Sequence, residues 1–138
     1  MDEEYHIERA DEPAWDIIGR GIRDYNNRQA GDGQGKSLCF VLRAADGSIV
    51  GGVIGETHWN WVFVNLMWVK EELRGLGYGR QLLAMAEAEA RQCGATESYL
   101  DTFSFQAPGF YKKNGYQVFG VLENFPPGHQ RYYLTKAL

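Results

Sequence analysis

The spacing of apolar positions changes period along the chain and divides it into elements. From Asp11 to Arg28, Trp15, Ile18, Ile22 and Tyr25 recur at helical spacing on one stripe, with Pro13 near the first turn of the helix they predict. The segment from Gln29 to Ser37 carries Gly31, Gly33 and Gly35 and has little conformational preference of its own, so a mobile loop is expected. Two β-leaning runs follow, Leu38 to Arg43 and Ser48 to Gly55, separated by Ala45-Asp46-Gly47; an Asp-Gly step between such runs signals a hairpin. They count as strands two and three after a short first strand near Tyr5 to Arg9. Beyond Thr57-His58-Trp59-Asn60, the run Trp61 to Val69 is rich in Val, Phe and Trp and free of charge, as expected of a central strand covered on both faces.

After Lys70-Glu71-Glu72-Leu73 comes a glycine-rich turn, then Leu82, Leu83, Ala86, Ala90 and Cys93 at helical spacing between Gly79 and Cys93, with Gly94 as the stop. Glu97 to Phe103 reads as a strand, Pro108 to Asn114 as a short helix, and Tyr116 to Leu122 with Arg131 to Thr135 as a closing strand pair. The order is α, β meander, βαβ, α, ββ. No repeat or linker interrupts 138 residues, a length that supports one core, so residues 1–138 are expected to form one domain.

Composition narrows the partners. The net charge is -4 and the 14 Lys and Arg residues are scattered, unlike the basic stripe that tracks a phosphate backbone, so nucleic acid is not expected. The acidic crowd of Asp2, Glu3, Glu4, Glu8, Asp11, Glu12 and Asp16 reads as a solvated face. Cys39 in an apolar run and Cys93 at a helix end suit reduced, buried thiols in a reducing compartment. The polar start MDEEYHIERADE is unlike a signal peptide, and no apolar run approaches the ~20 residues that cross a bilayer. A cytoplasmic protein with no membrane partner is expected, and no metal.

The turn Arg74-Gly75-Leu76-Gly77-Tyr78-Gly79 joins the uncharged strand to a helix start. Small residues there let backbone N–H groups approach an anion where the helix dipole favours negative charge, yet glycines also serve tight strand-to-helix packing, and both readings fit the glycines alone. No Gly-Lys-Ser/Thr follows for a P-loop, and Arg80 stands where a dinucleotide fingerprint has its third glycine. Arg74-x-x-Gly77-x-Gly79 resembles the Gln/Arg-x-x-Gly-x-Gly/Ala signature of the GNAT superfamily of N-acetyltransferases. Val69 lies five residues before it, as in that family. Downstream, Ser104-x-x-Ala107-x-x-Phe110-Tyr111 and Gly115-Tyr116 resemble the family's Asn-x-x-Ala-x-x-Phe-Tyr and Gly-Phe/Tyr.

The resemblance implies an α/β (α+β) GNAT fold: a central mixed, mostly antiparallel twisted sheet of about six to seven strands, flanked by helices and splayed at the central strands. It implies transfer of the acetyl group of acetyl-CoA to an amine by direct attack in a ternary complex, through a tetrahedral oxyanion, before the thiolate leaves. Backbone amides of the turn, from Arg74 and Gly75 through Leu76, Gly77, Tyr78 and Gly79 to Arg80, would hold the pyrophosphate. Met67, Trp68 and Val69 would line the pantetheine arm, with the Val69 N–H as oxyanion donor. Tyr111 would protonate the thiolate; helical spacing alone favours an aromatic core role, and only the family motif points to the acid. Ser104 replaces the family's Asn, and its hydroxyl matches only part of that contact. Lys112 and Lys113 read as solvated.

Where some relatives carry a strand Glu, this chain has Phe63, and Asn65 is the only polar side chain in the run. Glu56 and His58 are therefore the candidate bases, Asp101, Glu123 and His129 are others within reach of a cleft, and ordered water is the alternative. Acceptor pockets in the resembled fold draw on regions that here supply Trp59, Trp61, Phe103, Phe105, Phe125, His129, Tyr132 and Tyr133, an aromatic wall for a small amine or, for part of the set, core or a dimer interface. The acceptor is expected to be a small-molecule amine. A protein or peptide acceptor and a non-catalytic acyl-CoA-binding module are the alternatives, and homodimers are frequent among similar proteins.

Overall fold

In a computed structural model, which describes residues 4–138, six strands form one sheet. They are β1 (Lys36–Arg43), β2 (Ile49–His58), β3 (Trp61–Val69), β4 (Glu97–Phe103), β5 (Gln117–Glu123) and β6 (Gln130–Ala137), in the order β1-β2-β3-β4-β6-β5. Only the β3–β4 pairing is parallel, because α2 (Tyr78–Gln92) crosses over between those two strands. The sheet is thus mixed and mostly antiparallel, as expected.

The chain divides into two compact units at Gly33/Gln34. In the first, α1 (Trp15–Ala30) takes up the predicted stripe and ends at Gly31, whose N–H bonds the Asn27 carbonyl at 2.9 Å. None of its residues is buried. The strand expected near Tyr5 to Arg9 is not formed: those residues are exposed and have no regular structure. A lone strand there has no neighbour to pair its backbone groups. Asp2 and Glu3 of the acidic crowd lie outside the described residues; Glu4, Glu8, Asp11, Glu12 and Asp16 are exposed, as a solvated face should be.

In the second unit α2 packs on β1, β2 and β3. Leu82, Leu83, Ala86 and Ala90 of α2 meet Leu38, Val53, Val62, Val64, Leu100 and Leu134 from the strands in one core. The period of two selects these strand residues: on β4, Ser98, Leu100 and Thr102 are buried and Tyr99, Asp101 and Phe103 half-exposed. The β3 run is not covered on both faces, for Leu66 and Trp68 are 63% and 52% exposed. The thiols are likewise exposed rather than buried. Cys39 follows the buried Leu38 and so points to the other face, and Cys93 is the C-cap of α2.

A buried polar network ties α2 to the far side of the sheet. The Tyr116 hydroxyl donates to Glu87 Oε2 on α2 at 2.8 Å and meets Ser98 Oγ on β4 at 2.8 Å. Lys136 Nζ on β6 donates to Glu87 Oε1 at 2.9 Å. A buried carboxylate is tolerable when paired in this way. Burial, with the Glu87 charge beside it, holds the Tyr116 phenol neutral far above the usual phenol range. Tyr116→Phe keeps the ring but strips Glu87 and Ser98 of a partner. The variant should lose about 1–3 kcal/mol of stability, read as a lower urea midpoint at unchanged slope.

Candidate functional site

The parallel pairing of β3 with β4 stops at Val64↔Leu100, and beyond it the two strands part. A bulge marks the place: Ile54 pairs with Leu66 and Gly55 with Val64, so Asn65 is the extra residue. Past the bulge Met67 and Val69 turn toward the α2 side and pack on the core. The Lys70 N–H bonds the Val50 carbonyl at 2.9 Å. Antiparallel pairs alternate between bonded and non-bonded, so Val69 opposite Gly51 and Met67 opposite Val53 are non-bonded pairs. Their N–H groups therefore point away from β2, into the gap that β4 has left. The Val69 carbonyl is taken by Arg74 Nε at 2.9 Å, which fixes the turn to the end of the strand.

The three glycines of the turn have separate causes. Gly75 (φ 78°) and Gly77 (φ 91°) sit in the left-handed region, where a side chain is strained. Gly79 has no such φ; a Cβ there would lie 3.3 Å from Met67 Cε and 3.3 Å from Phe110 Cζ. No side chain caps α2. Its first intrahelical bond is Gln81 N–H to the Gly77 carbonyl, which leaves the N–H groups of Tyr78, Gly79 and Arg80 without helical acceptors at the positive end of the dipole.

Gly79 and Arg80 of this helix start line a cavity of about 690 Å³. The end of β3 (Met67, Trp68, Val69) forms one wall, the turn and helix start another, and α3 (Pro108–Lys113) the third through Phe110 and Tyr111. Its charged lining residues are Arg74, Arg80 and Lys113, and no carboxylate lines it among the described residues. Open amides and three cations suit a polyanion, and Met67, Val69 and Phe110 supply an apolar stretch beside it.

Tyr111 is 8% exposed and its ring packs edge-on to Phe110 and Tyr116. Its hydroxyl bonds no described residue, yet no buried side-chain oxygen among those residues lacks a partner. The hydroxyl therefore opens to the cavity. Burial, and then the Asp101 charge, push its pKa up to about 12.

On the other face of the sheet, Phe103, Phe125 and Tyr133 place their rings 5.2–5.5 Å from the Arg131 guanidinium, which is paired with Asp101. Phe105 stacks on Phe103 and meets His129 edge-on.

Residues 35–118 match the acetyltransferase (GNAT) domain. The chain belongs to the GNAT family. It is 42% identical to the blasticidin-S acetyltransferase of Streptomyces morookaense over 93 residues, 67% of this chain and 68% of that protein. It is 36% identical over 121 residues to an acetyltransferase of Agrobacterium fabrum, 85% and 88% of the two chains. The crystal structure of an acetyltransferase from Bacillus cereus matches it with a TM-score of 0.88 at 34% identity, covering 99% of both chains. This GNAT protein is an acyl-CoA-dependent N-acetyltransferase.

Of the GNAT site residues expected from sequence, Met67, Trp68, Val69, Arg74, Gly75, Gly77, Gly79, Arg80 and Tyr111 line the one cavity. Leu76 and Tyr78 belong to the turn but are not among its lining residues. Ser104 is not either: its N–H and hydroxyl pair with Gln130, at 2.8 Å and 3.1 Å, and extend the β4–β6 ladder. Lys113, read as solvated, lines the cavity while Lys112 does not. Gln106 also lines it and passed unnoticed, being an unspecified position of the motif; its Oε1 accepts from the Phe103 N–H at 2.7 Å.

The candidate bases separate. His58 lies opposite Trp61, eight strand residues from Val69, or about 26 Å at ~3.3 Å per residue. Glu56 lies opposite Phe63, one residue before the parting of the strands, and its charge helps raise the Tyr99 phenol, after burial and ahead of Asp101. Of the aromatic wall, Phe103, Phe105, Phe125, His129 and Tyr133 gather as described. Trp61 contacts Tyr99 and Trp59 contacts His58, at the closed end of β3, and Tyr132 packs on the core.

Proposed function

We propose that this protein transfers the acetyl group of acetyl-CoA to a primary amine of a small molecule by direct attack in a ternary complex, with residues 1–138 acting as one domain. The observation that carries the reading is the junction of three features on one cavity: the uncapped start of α2 flanked by cations, the free N–H groups of Met67 and Val69, and the open Tyr111 hydroxyl. The amides of the turn and α2, with Arg74, Arg80 and Lys113, hold the pyrophosphate. The edge of β3 pairs with the amide-bearing arm as a further strand would.

The Val69 N–H donates to the developing oxyanion and Tyr111 gives its proton to the departing sulfur. Glu56, at the parting of the strands, takes the amine's proton through water; His58 lies too far along β3. A small acceptor is supported by the blasticidin-S acetyltransferase relative, whose named acceptor is an antibiotic. A cytoplasmic location, expected from the sequence, and a homodimer, frequent among similar proteins, complete the reading.

Free-thiol release from acetyl-CoA in the presence of polyamines, amino acids, aminoglycosides, blasticidin S and peptides tests this. Turnover is expected on at least one small amine. Turnover on peptides alone would overturn the small acceptor, and failure to bind CoA would overturn the assignment of the cavity.

A further inference from the structure

We infer that Asp101 is the seat of the acceptor amine: its carboxylate oxygen Oδ2 accepts an N–H of the acceptor at the parting of β3 and β4 and turns the nitrogen lone pair toward the acyl group. The inference rests on the reading of the cavity as the acyl-CoA site and adds the residue that receives the second substrate.

Position is the first argument. Leu100 is the last β4 residue paired with β3, so Asp101 is the first beyond the split. The β4 alternation puts it on the face opposite the buried Leu100 and Thr102, the face away from α2. After burial, its charge helps to raise both the Tyr111 phenol at the cavity and the Tyr99 phenol on its own face.

The second argument is that half of the carboxylate is unused. Arg131 spends two donors on one oxygen, with Nε 3.0 Å and Nη2 2.6 Å from Oδ1. An arginine facing a carboxylate commonly engages both oxygens in a fork; here Oδ2 accepts no hydrogen bond from any described residue. The Asp101 side chain is only 18% exposed, yet no buried side-chain oxygen among the described residues is unpartnered. Oδ2 is therefore open to an incoming donor.

The third argument is rigidity. Three rings surround the Arg131 guanidinium, so the clamp on Oδ1 is held and Oδ2 keeps its direction. A seat of this kind holds a nucleophile in register, which is where binding energy raises the rate. It also supplies a carboxylate, which the lining of the cationic cavity lacks among the described residues.

Asp101→Asn tests the seat sharply. The Arg131 donors hold the amide carbonyl on their side, so the amide NH₂ faces the acceptor and a hydrogen-bond acceptor becomes a donor. With blasticidin S and spermidine as acceptors, kcat/KM for the amine should fall about 10- to 100-fold, mostly through KM, while the CoA Kd by calorimetry stays within about twofold. Arg131→Met removes the clamp and leaves the carboxylate, so it should cost amine kcat/KM less than Asp101→Asn while lowering Tm at least as much. If both variants instead lower Tm, CoA affinity and amine kinetics in parallel, the pair only braces β4 against β6 and the seat is overturned. Unchanged amine KM in Asp101→Asn overturns it too. Wild-type protein that binds CoA but acetylates neither amine overturns the small-amine reading, and the seat with it.

Discussion

Tyr111→Phe should lower kcat about 10²- to 10³-fold while CoA affinity stays within a few-fold. The side chain contributes a ring and a hydroxyl, and the structure separates them. The ring packs against Phe110 and Tyr116, contacts that phenylalanine retains. The hydroxyl opens to the cavity and is the group proposed to protonate the sulfur, a role worth ~10²–10⁴.

The pH profile sharpens the test. With its pKa pushed up to about 12 by burial and then by Asp101, Tyr111 stays protonated through the working range, so wild-type kcat should show no alkaline loss from this group below about pH 11. The same shift bears on stability. A pKa raised above the unfolded value of 10 means a contribution fully present below pH 10 and lost as pH rises toward 12. Between those limits the Phe variant should lose less stability than wild type, measured by thermal melts at each pH. An unchanged kcat would remove Tyr111 as the acid.

Gly79→Val should raise the acetyl-CoA KM about 100-fold or more. Gly79 lacks the positive φ of Gly75 and Gly77, so the penalty is one of space. Its Cβ would stand 3.3 Å from both Met67 Cε and Phe110 Cζ; the methionine end can move, the ring much less. The two further methyls of valine would enter the channel between β3 and α3 beside the uncapped amides. Gly79→Ala is the informative control. Alanine favours the helix by up to ~1 kcal/mol over glycine, so its Tm should stay near wild type while CoA affinity drops several-fold. Calorimetry with CoA and thermal melts together decide between a blocked cofactor channel and a damaged fold.

Much of this was legible in the sequence. Trp61–Val69 and Glu97–Phe103 are bounded by turn residues, and both strands have the limits their patterns predict. The cofactor wall was legible because its residues are contiguous in sequence, so a motif captures them together. What depends on register was not legible. Glu56 and His58 are two residues apart, yet strand pairing alone reveals that one lies near the split and the other at the far end of β3. Lys112 and Lys113 differ by one step, about 100° around a helix, and only Lys113 reaches the cavity. Ser104 stood at the motif position of a cofactor contact, but a neighbouring strand engages it first. Cys39 took its expected burial from an apolar run, whereas alternation decides which side each residue faces.

The extra residue at Asn65 acts as a phase shift. On its N-terminal side the inward residues of β3 are the even-numbered Val62 and Val64; on its C-terminal side they are the odd-numbered Met67 and Val69. With the same residues but no bulge, strict alternation would turn Met67 and Val69 out of the cavity and bring Leu66 and Trp68 in, and the free N–H groups would swap sides with them. The cofactor wall therefore depends on the bulge as well as on composition. A one-residue deletion at Asn65 would leave Met67 and Val69 facing inward, in regular alternation with Val64, but would remove the local kink at which β3 parts from β4.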